Sequence, residues 1–484
     1  MSNAIARPQD LVTIAAMFVL GLMACVHAQS SLFWGVATSS YQVEGAVDAD
    51  GRGQTVWDTF SHTPGKIADG STADIADDFY DQYLNDIDLM QANGIKNFRF
   101  SIAWSRIYPT GTGQVNQAGL AFYSNLTDAL LAANIQPFVT LFHWDLPQSL
   151  QDSYGGFLGQ QLVTDFANYA STVVAALGNR VTYWTTFNEP NSICSLGFGS
   201  GGMAPGRCSN RSICAEGDSH SEPYICAHTL LAAHGAAVSK MRAAAPQAKI
   251  SINWSADWVV PYTNSSDDIA AAQRHSDFNL GLYADPIYLG DYPQSVKALV
   301  PSLPALSDHE KASLNGSVDY FALNHYTSYY VKNDPASGTL EGTAVSYISS
   351  AGVAIGEQAE SSWLYVVPWG FSAILQYIDQ RYGHPDIIVT ENGVDVPGES
   401  NIPYPDLLHD PFRINYIQTY LEQANEAKQA GVKLLGYFYW ALLDNFEWAQ
   451  GYSNTFGLVH VDYSSDNRTR APKDSLAWLA THFA

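Results

Sequence analysis

Eight short runs of apolar, β-branched or aromatic residues recur along the chain, and segments with helical character separate them. The runs cover residues 33–38, 97–103, 136–143, 183–189, 250–257, 319–326, 386–392 and 434–442. Several are apolar almost without interruption, which is typical of parallel strands buried on both faces. Eight strands alternating with helices predict an α/β fold, a single (β/α)8 TIM barrel.

The alternative fold is a doubly wound open sheet, which alternates strands and helices in the same way. In that fold, a glycine-rich phosphate-binding loop is expected after the first strand. The run Trp34-Gly35-Val36-Ala37 is not such a loop, so the barrel is favoured.

Helical patterns and long irregular segments fill the space between the predicted strands. The clear helices are predicted over residues 77–93, 120–133, 161–177, 227–245 and 413–430. Long segments interrupt the pattern at residues 191–226, 258–318 and 393–412. In a barrel, long loops of this kind would crown the face where the strands end, and that face holds the active site.

The acidic balance of the chain restricts its partners. The formal net charge is −24 at pH 7. Nucleic acids and anionic membrane surfaces both require a basic footprint, so the charge disfavours them. A neutral substrate fits this charge better than a phosphorylated one.

The N-terminus carries an apolar run from Leu11 to Cys25, preceded by Arg7 and followed by small residues up to Ala28. This run is short for a membrane span. We predict a secretory signal peptide over residues 1–28, cleaved after Ala28. Residues 29–484 would then form the barrel domain of a protein that is extracellular or vacuolar, with no membrane segment. A signal anchor is the alternative, because Asp10 is unusual at the start of such a run.

Four cysteines remain after the predicted cleavage, and they allow three pairings. Cys208 and Cys214 close a short loop and are predicted to pair, whereas a bridge between Cys194 and Cys226 is left open. No cysteine or histidine spacing suggests zinc, so no metal site is predicted. Asn-x-Ser/Thr sequons, which are candidate glycosylation sites in a eukaryotic host, occur at Asn125, Asn210, Asn253, Asn264, Asn315 and Asn467.

Two of the predicted strands finish on a glutamate. The fourth ends in Asn188-Glu189-Pro190, and the seventh ends in Thr390-Glu391-Asn392. These strands lie three apart around a barrel, so the two carboxyls would face one another across its mouth. Each glutamate follows an apolar run, and desolvation raises the pKa of a carboxyl, which suits a group that must start protonated. A single glutamate at a strand end could equally be a surface ion pair or a loop anchor.

Two opposed carboxyls indicate cleavage of a glycosidic bond. One protonates the leaving oxygen, and the other either attacks the anomeric carbon or activates water. Separations of about 5–5.5 Å between the carboxyls indicate retention of configuration, and wider gaps indicate inversion. Sequence spacing does not give that distance, so the residues alone predict a two-carboxylate glycosidase and leave both outcomes open.

The chain also resembles glycoside hydrolase family 1, the family of retaining β-glucosidases and β-galactosidases. The resemblance runs from about Phe33 to Phe483 and includes the Asn-Glu-Pro and Thr-Glu-Asn-Gly motifs around the two glutamates. The matching motifs keep the order and spacing of the family, at residues 33–38, 41–45, 98–106, 143–148, 186–190, 390–393 and 439–448.

The resemblance implies roles for four residues. Glu189 corresponds to the acid/base of the family and Glu391 to its nucleophile, and retention is implied in the same way. Glu391 must then be ionised while Glu189 is protonated. Arg99 can supply the positive charge that keeps Glu391 ionised, and Tyr326 is expected to donate a hydrogen bond to the same carboxylate.

The resemblance also implies which residues hold the substrate. Asn188 would contact the sugar 2-hydroxyl, and Trp363 matches the aglycone platform of plant-type members. Glu447 would repel a phosphate, so an unphosphorylated sugar is expected. The cysteine loop from residue 204 to 219 also looks plant-type, which supports the Cys208–Cys214 bridge. The full set of expected substrate-binding residues is Gln42, His143, Asn188, Asn324, Trp363, Trp440, Glu447, Trp448 and Phe456.

The sequence therefore predicts a secreted retaining β-glycosidase of the β-glucosidase type that needs no cofactor and acts on small-molecule or oligosaccharide β-glycosides. A transglycosylase would use the same two carboxylates with a sugar or alcohol acceptor in place of water, and sequence does not separate the two. A non-catalytic glycan-binding receptor on the same barrel is disfavoured, because such relatives lose one of the two glutamates.

Overall fold

The computed structural model describes residues 32–483 of the chain. Its central strands are β1 Phe33–Ala37, β2 Asn97–Ser101, β3 Gln136–Phe142, β4 Tyr183–Asn188, β5 Lys249–Ser255, β6 Phe321–Asn324, β7 Ile387–Glu391 and β8 Leu434–Trp440. They form a closed barrel in chain order, with β8 beside β1. All eight predicted strands are confirmed, and the closed barrel excludes the doubly wound sheet.

The barrel strands are apolar along most of their length because helices cover one face and the packed barrel interior covers the other. Six of the seven residues of β3 and all five of β7 are buried. Polar side chains are concentrated at the carboxyl ends. Glu391 stands opposite Asn324 in the strand register, and Asn188 stands opposite Asn253. The fold therefore gathers buried polar groups on one face of the barrel.

Within residues 32–483, eight longer helices accompany the strands. They are α1 Phe79–Ala92, α2 Gln117–Ala132, α3 Gln161–Leu177, α4 Glu222–Ala244, α5 Ser266–Ser276, α6 Pro368–Arg381, α7 Pro411–Gln429 and α8 Asp474–His482. Shorter helical turns cover Ser40–Val43, Val56–Ser61, Trp104–Ile107, Gln148–Tyr154, Pro190–Ser192, Ile193–Ser200, Asp277–Gly281, Leu282–Tyr288, Gln294–Leu299 and Asp308–Leu314.

Local sequence signals set several helix ends. The Asn116 side chain accepts a hydrogen bond from the Ala118 N–H at the start of α2, and Ser265 caps α5 in the same way. Gly431 follows α7 with a φ of 104°, a conformation that favours glycine. The five predicted helices are confirmed, with boundaries that differ by a few residues.

The prediction of a long loop over residues 258–318 is wrong. This segment contains a strand at Trp258–Pro261, helix α5 and several helical turns. The turns are short, and Pro286 lies inside one of them, so no helical period persists long enough to be recognised. Helix α6 was not predicted either, because it starts directly after an irregular aromatic segment.

A small sheet crowns the carboxyl ends of β5 and β6. It consists of the strands Trp258–Pro261, Ser328–Asn333 and Thr343–Ser346. Two further strand pairs lie outside the barrel, Glu357–Gln358 with Tyr365–Val366 and Val459–Val461 with Arg470–Pro472. The segment that follows β6 is therefore a structured part of the active-site face.

Two disulfides lie in the segment that follows β4. The predicted bridge between Cys208 and Cys214 is present. Cys194 and Cys226, whose pairing the sequence leaves open, are also bonded, and they join the turn after β4 to helix α4.

The predicted signal peptide, residues 1–28, lies outside the described residues. Between residues 32 and 483, no helix is both long and apolar enough to cross a bilayer.

The sequons differ in their exposure. Asn253 lies in β5 and is completely buried, so a glycan has no room there in the folded chain, and this predicted site is wrong. The other five asparagines are exposed, namely Asn125, Asn210, Asn264, Asn315 and Asn467. They stay candidate glycosylation sites.

Candidate active site

Two buried glutamates occupy the ends of β4 and β7. Glu189 directly follows β4 and is 8% exposed, while Glu391 is the last residue of β7 and is 3% exposed. The backbone of Glu189 is left-handed, with φ 49° and ψ 68°. Its N–H donates to the Asn253 carbonyl at 2.8 Å. Such a conformation is costly for a residue other than glycine and persists only where the surrounding structure holds it.

The Glu391 carboxylate receives a strong donor on each oxygen. Arg99 Nη1 donates to Oε1 at 2.6 Å, and the Tyr326 hydroxyl donates to Oε2 at 2.6 Å. Burial raises the pKa of Tyr326 well above its usual range, so the phenol keeps its proton. A guanidinium and a phenol that both donate to one carboxylate stabilise its ionised form.

The Glu189 carboxyl receives only neutral donors. Asn324 Nδ2 donates to Oε1 at 2.9 Å, and Ser192 Oγ donates to Oε2 at 2.7 Å. Burial, followed by the negative charge of Glu391, raises the pKa of Glu189 to about 7, although both hydrogen bonds oppose the rise. Glu189 can therefore hold a proton near neutral pH and can also release it.

A hydrogen-bonded chain of amides joins the two glutamates. Arg99 Nη2 donates to Asn188 Oδ1 at 2.7 Å, and Asn324 Nδ2 donates to the same oxygen at 3.0 Å. Thr390 Oγ1 in turn donates to Asn324 Oδ1 at 2.7 Å, which fixes the orientation of that amide. The network couples the position of one glutamate to that of the other.

His143 lies next to this network as a neutral imidazole. Burial lowers its pKa well below the usual range, and the positive charge of Arg99 contributes. Asn188 Nδ2 lies 2.9 Å from His143 Nε2, so the amide donates and the proton of the ring is on Nδ1. His143 Nδ1 has no hydrogen-bond partner within residues 32–483.

A second polar group surrounds Glu447. Gln42 Nε2 donates to Asn445 Oδ1 at 2.9 Å and to Glu447 Oε2 at 3.3 Å. Burial and the negative charges of Asp395, Glu391 and Glu189, in that order, raise the pKa of Glu447 well above its usual range. A further anion next to this carboxyl is therefore unfavourable.

Aromatic rings line one side of the site. The His143 ring stacks with Trp440 at a centroid distance of 5.7 Å and with Trp448 at 5.8 Å. Trp144 lies 4.5 Å from Trp448 and donates its indole N–H to the Asn188 carbonyl. These contacts fix the two tryptophans that the sequence predicts to face the sugar.

A different pair of rings borders Tyr326. Trp363 meets the Tyr326 ring edge-on at 5.7 Å, and Phe456 does so at 6.3 Å. Trp363 is 42% exposed whereas Phe456 is 2% exposed. Trp363 therefore has a face available to a ligand at the mouth of the site.

The predicted catalytic and substrate-binding residues thus lie in the network around the two glutamates, in the aromatic contacts beside it, or, for Gln42 and Glu447, in the second polar group. Sequence reasoning missed Ser192, Thr390, Asn445 and Trp144, which contact that set directly. Thr390, Asn445 and Trp144 lie inside motifs that the sequence analysis recognised, so the sequence could have indicated them as site residues. No motif indicates Ser192, because only the helical turn after Glu189 brings its hydroxyl back to the carboxyl.

In the described part of the chain, no group of three or more His, Cys, Asp or Glu side chains is arranged to hold a metal ion. Two carboxyls in unlike environments can carry out proton transfer and nucleophilic attack.

Comparisons with known proteins agree with this geometry. The model of glycosyl hydrolase family 1 matches residues 27–483. Beta-glucosidase 6 of Oryza sativa subsp. japonica is 44% identical, over 97% of this chain and 95% of the relative. Beta-glucosidase 40 of Arabidopsis thaliana is 45% identical, over 93% of this chain and 91% of the relative.

Solved structures are similar over the same range. A variant of the rice β-glucosidase Os3BGlu6, in a covalent complex with Glc from GA4GE, has a TM-score of 0.90 and 46% identity, covering 93% of this chain and 97% of its own. A β-glucosidase from the fungus Humicola insolens in complex with glucose has a TM-score of 0.91 and 40% identity, with the same coverage. The chain belongs to glycosyl hydrolase family 1 and is an O-glycosyl hydrolase.

Proposed function

We propose that this chain is a retaining β-glucosidase that hydrolyses terminal, unphosphorylated β-D-glucosides through a covalent glycosyl-enzyme. One observation carries the proposal. The two buried carboxyls have opposite environments: Glu391 accepts from Arg99 and Tyr326, whereas Glu189 accepts only from neutral groups. This is the division that a nucleophile and an acid require.

In the first step the Glu391 carboxylate attacks the anomeric carbon while Glu189 transfers its proton to the glycosidic oxygen. The bond from the anomeric carbon to that oxygen breaks, and the aglycone leaves as a neutral alcohol. In the second step Glu189, now ionised, takes a proton from water. The water oxygen attacks the anomeric carbon, which releases the sugar and restores both carboxyls.

The groups around the two carboxyls support a neutral sugar as substrate. His143 Nδ1, Gln42 and Glu447 offer hydrogen-bonding groups for hydroxyls, and Trp440 and Trp448 offer ring faces. The carboxyl of Glu447 lies in a region of negative charge that would repel a phosphate group. The relatives named β-glucosidases, and the glucose found in two of the similar structures, support glucose as the sugar.

Product analysis tests the proposal. Aryl β-glucosides would be hydrolysed while the anomeric proton is followed by NMR, and β-glucose is expected as the first product. A 2-deoxy-2-fluoroglucoside with a good leaving group should label the enzyme on the peptide that contains Glu391. Initial release of α-glucose would overturn retention. Activity on 6-phosphoglucosides alone would overturn the assignment of the sugar.

Export through the secretory pathway is part of the same proposal. The predicted signal at residues 1–28 motivates it, and the two disulfides suit an oxidising compartment. Expression of the full chain in a eukaryotic cell should give a secreted or vacuolar protein that begins after Ala28. A cytosolic product with an intact N-terminus would contradict this.

A further inference from the structure

A small cleft opens next to Glu189, at the end of β5. Asn191, two residues after Glu189, forms one side, and Asp257, just beyond β5, forms another. Trp258, Tyr329 and Tyr377 supply aromatic walls. The cavity volume is about 40 Å³. This exceeds what a single water molecule needs and suits a small polar group.

The Asp257 carboxylate in this cleft makes only long contacts with its neighbours. Its Oδ1 lies 3.4 Å from the Thr327 N–H and 3.9 Å from His325 Nδ1. His325 Nδ1 donates to the Ala256 carbonyl at 2.8 Å, and burial lowers the pKa of this histidine to about 4, so it is neutral. No lysine or arginine forms an ion pair with Asp257 within residues 32–483.

His275 also lines the cleft, and its charge favours the ionised form of Asp257. His275 contacts Glu341 through Nδ1 and the Tyr329 hydroxyl through Nε2, the latter at 3.0 Å, so an acidic partner is already present for it. Burial raises the pKa of Asp257 to about 7. A cation bound in the cleft would favour the ionised carboxylate, because opposite charges stabilise one another most strongly where water is partly excluded.

The cleft adjoins the backbone that follows Glu189 and Tyr326. Asp257 rests against the backbone immediately after Tyr326, whose hydroxyl contacts Glu391. The charge of Asp257 also acts on Glu189, the residue that would protonate the glycosidic oxygen. Thr327, which contacts Asp257, also donates through Oγ1 to the Tyr365 carbonyl at 2.8 Å, two residues after Trp363. The cleft therefore adjoins both Glu189 and the segment that carries Trp363.

We propose that Asp257 is a specificity-determining residue that selects β-glucosides whose aglycone carries a protonated amine. The ammonium group would occupy the cleft, pair with the Asp257 carboxylate and lie against the faces of Trp258 and Tyr329. Charge-assisted hydrogen bonds and cation–π contacts are both strengthened in a partly desolvated site. This inference rests on the proposed function, because it concerns the aglycone of the same reaction.

Matched aryl β-glucosides provide the test. One series carries an aminomethyl group at the meta or para position, and the other carries a hydroxymethyl group of similar size in the same place. For the better position, the wild-type ratio of kcat/KM, amine over alcohol, is expected to be about tenfold, the size of one charge-assisted hydrogen bond. Asp257→Asn keeps the shape of the side chain, and the ratio should fall to near one.

The control variant is Asp267→Asn. Asp267 is an exposed residue in the first turn of α5, so this change removes an equal charge from the surface and should leave the ratio at the wild-type value. A wild-type ratio near one, or a ratio that Asp257→Asn does not change, would overturn the inference. Equal losses on both substrates with a displaced pH profile would also overturn it, because Asp257 would then act through Glu189.

Binding of non-hydrolysable thioglucosides separates this inference from the proposed function. Calorimetry with aminomethyl and hydroxymethyl phenyl thioglucosides gives a ratio of Kd values that does not depend on turnover. Loss of the amine preference in Asp257→Asn would support the inference even if no substrate were hydrolysed. Turnover of the neutral aryl glucosides with no amine preference in either assay would leave the proposed function standing and overturn the inference.

Discussion

The two glutamates of the site sit at equivalent places in the barrel and yet have unlike surroundings. Both are buried at strand ends, and both accept one hydrogen bond on each oxygen. Glu391 accepts from a guanidinium and a phenol, whereas Glu189 accepts from an amide and an alcohol. The contrast shows that burial alone does not assign a role to a carboxyl; the charge of its donors does.

The same contrast explains how one network serves two functions. Arg99 reaches both Glu391 and Asn188, and Asn188 contacts the amide that donates to Glu189. Of the two glutamates, the positive charge of Arg99 contacts only Glu391 directly. The neutral amides of Asn188 and Asn324 extend the chain of hydrogen bonds from Arg99 to Glu189. Substitution of Glu391 and substitution of Glu189 should therefore affect the rate of hydrolysis in different ways.

Glu391→Ala removes the proposed nucleophile, and we expect the largest loss. The value of kcat should fall by about ten-thousandfold or more for every aryl glucoside, because no leaving group compensates for a missing nucleophile. Steady-state kinetics on a series of leaving groups measures this. Glu426→Ala, on the exposed face of α7, is the control and should retain activity. A loss confined to poor leaving groups would reverse the assignment of roles.

Glu189→Ala should produce a loss that depends on the substrate. Alkyl glucosides need protonation of the leaving oxygen and should lose about a hundredfold to ten-thousandfold in rate. The first step with 2,4-dinitrophenyl glucoside should be nearly unchanged, so glycosyl-enzyme should accumulate and give a burst of phenol in stopped-flow measurements. Equal losses on both substrates would count against an acid role for Glu189.

Tyr326→Phe removes one of the two donors to Glu391 and leaves Arg99 in place. We expect a fall of about tenfold to a hundredfold in kcat/KM, the cost of one hydrogen bond to a charged group. The change keeps the ring against Trp363 and Phe456, so the free energy of unfolding should change little. A loss as large as that of Glu391→Ala would mean that Tyr326 does more than stabilise the carboxylate.

The pH profile tests Glu189 without a mutation. Its pKa is raised to about 7, so the proton needed for the first step is present below pH 7 and is lost as the pH rises through that value. For alkyl glucosides, kcat/KM should decrease about tenfold per pH unit above pH 7. Dinitrophenyl glucoside should show a weaker decrease. An equally steep decrease for both substrates would point to a group other than the acid.

Ser192→Ala should give the smallest effect. The Ser192 hydrogen bond lowers the pKa of Glu189, so its removal should raise that pKa and move the alkaline decrease to higher pH by less than about one unit. The pH dependence of kcat/KM measures the displacement, with wild type as the reference. A decrease that begins at lower pH in Ser192→Ala than in wild type would contradict the proposal that the Ser192 hydrogen bond lowers the pKa of Glu189.

The sequence predicts the barrel well because its signal is repeated and strong. Apolar runs buried on both faces mark the strands, and the residue type at each run's end marks Glu189 and Glu391. The sequence does not predict the short helices after β5 because each spans too few turns to establish a helical period, and it does not predict helix α6 because that helix begins directly after an irregular aromatic segment. The burial of Asn253 was also missed, since a sequon carries no information about the side of the strand on which it lies.

Details of the site depend on contacts between distant segments, which a pattern does not reveal. Trp144, Glu189 and Trp448 all have positive φ values, and nothing in their residue types predicts this. The environment of Asp257 likewise depends on segments brought together only by the fold. Sequence reasoning reached the identities of the reacting groups, whereas their protonation depends on which neighbours the folded chain supplies.

The fixed amide of Asn324 has one more consequence. Because Thr390 donates to its oxygen, the nitrogen of this amide must point towards Glu189, and Oε1 of the glutamate is then already occupied as an acceptor. The Ser192 hydroxyl, which donates to Oε2 of the ionised glutamate, can turn and accept from a hydrogen on Oε2, whereas the fixed amide N–H cannot accept from a hydrogen on Oε1. The orientation of one amide thus selects which of the two chemically equivalent carboxyl oxygens of Glu189 carries the hydrogen that is transferred to the departing alcohol.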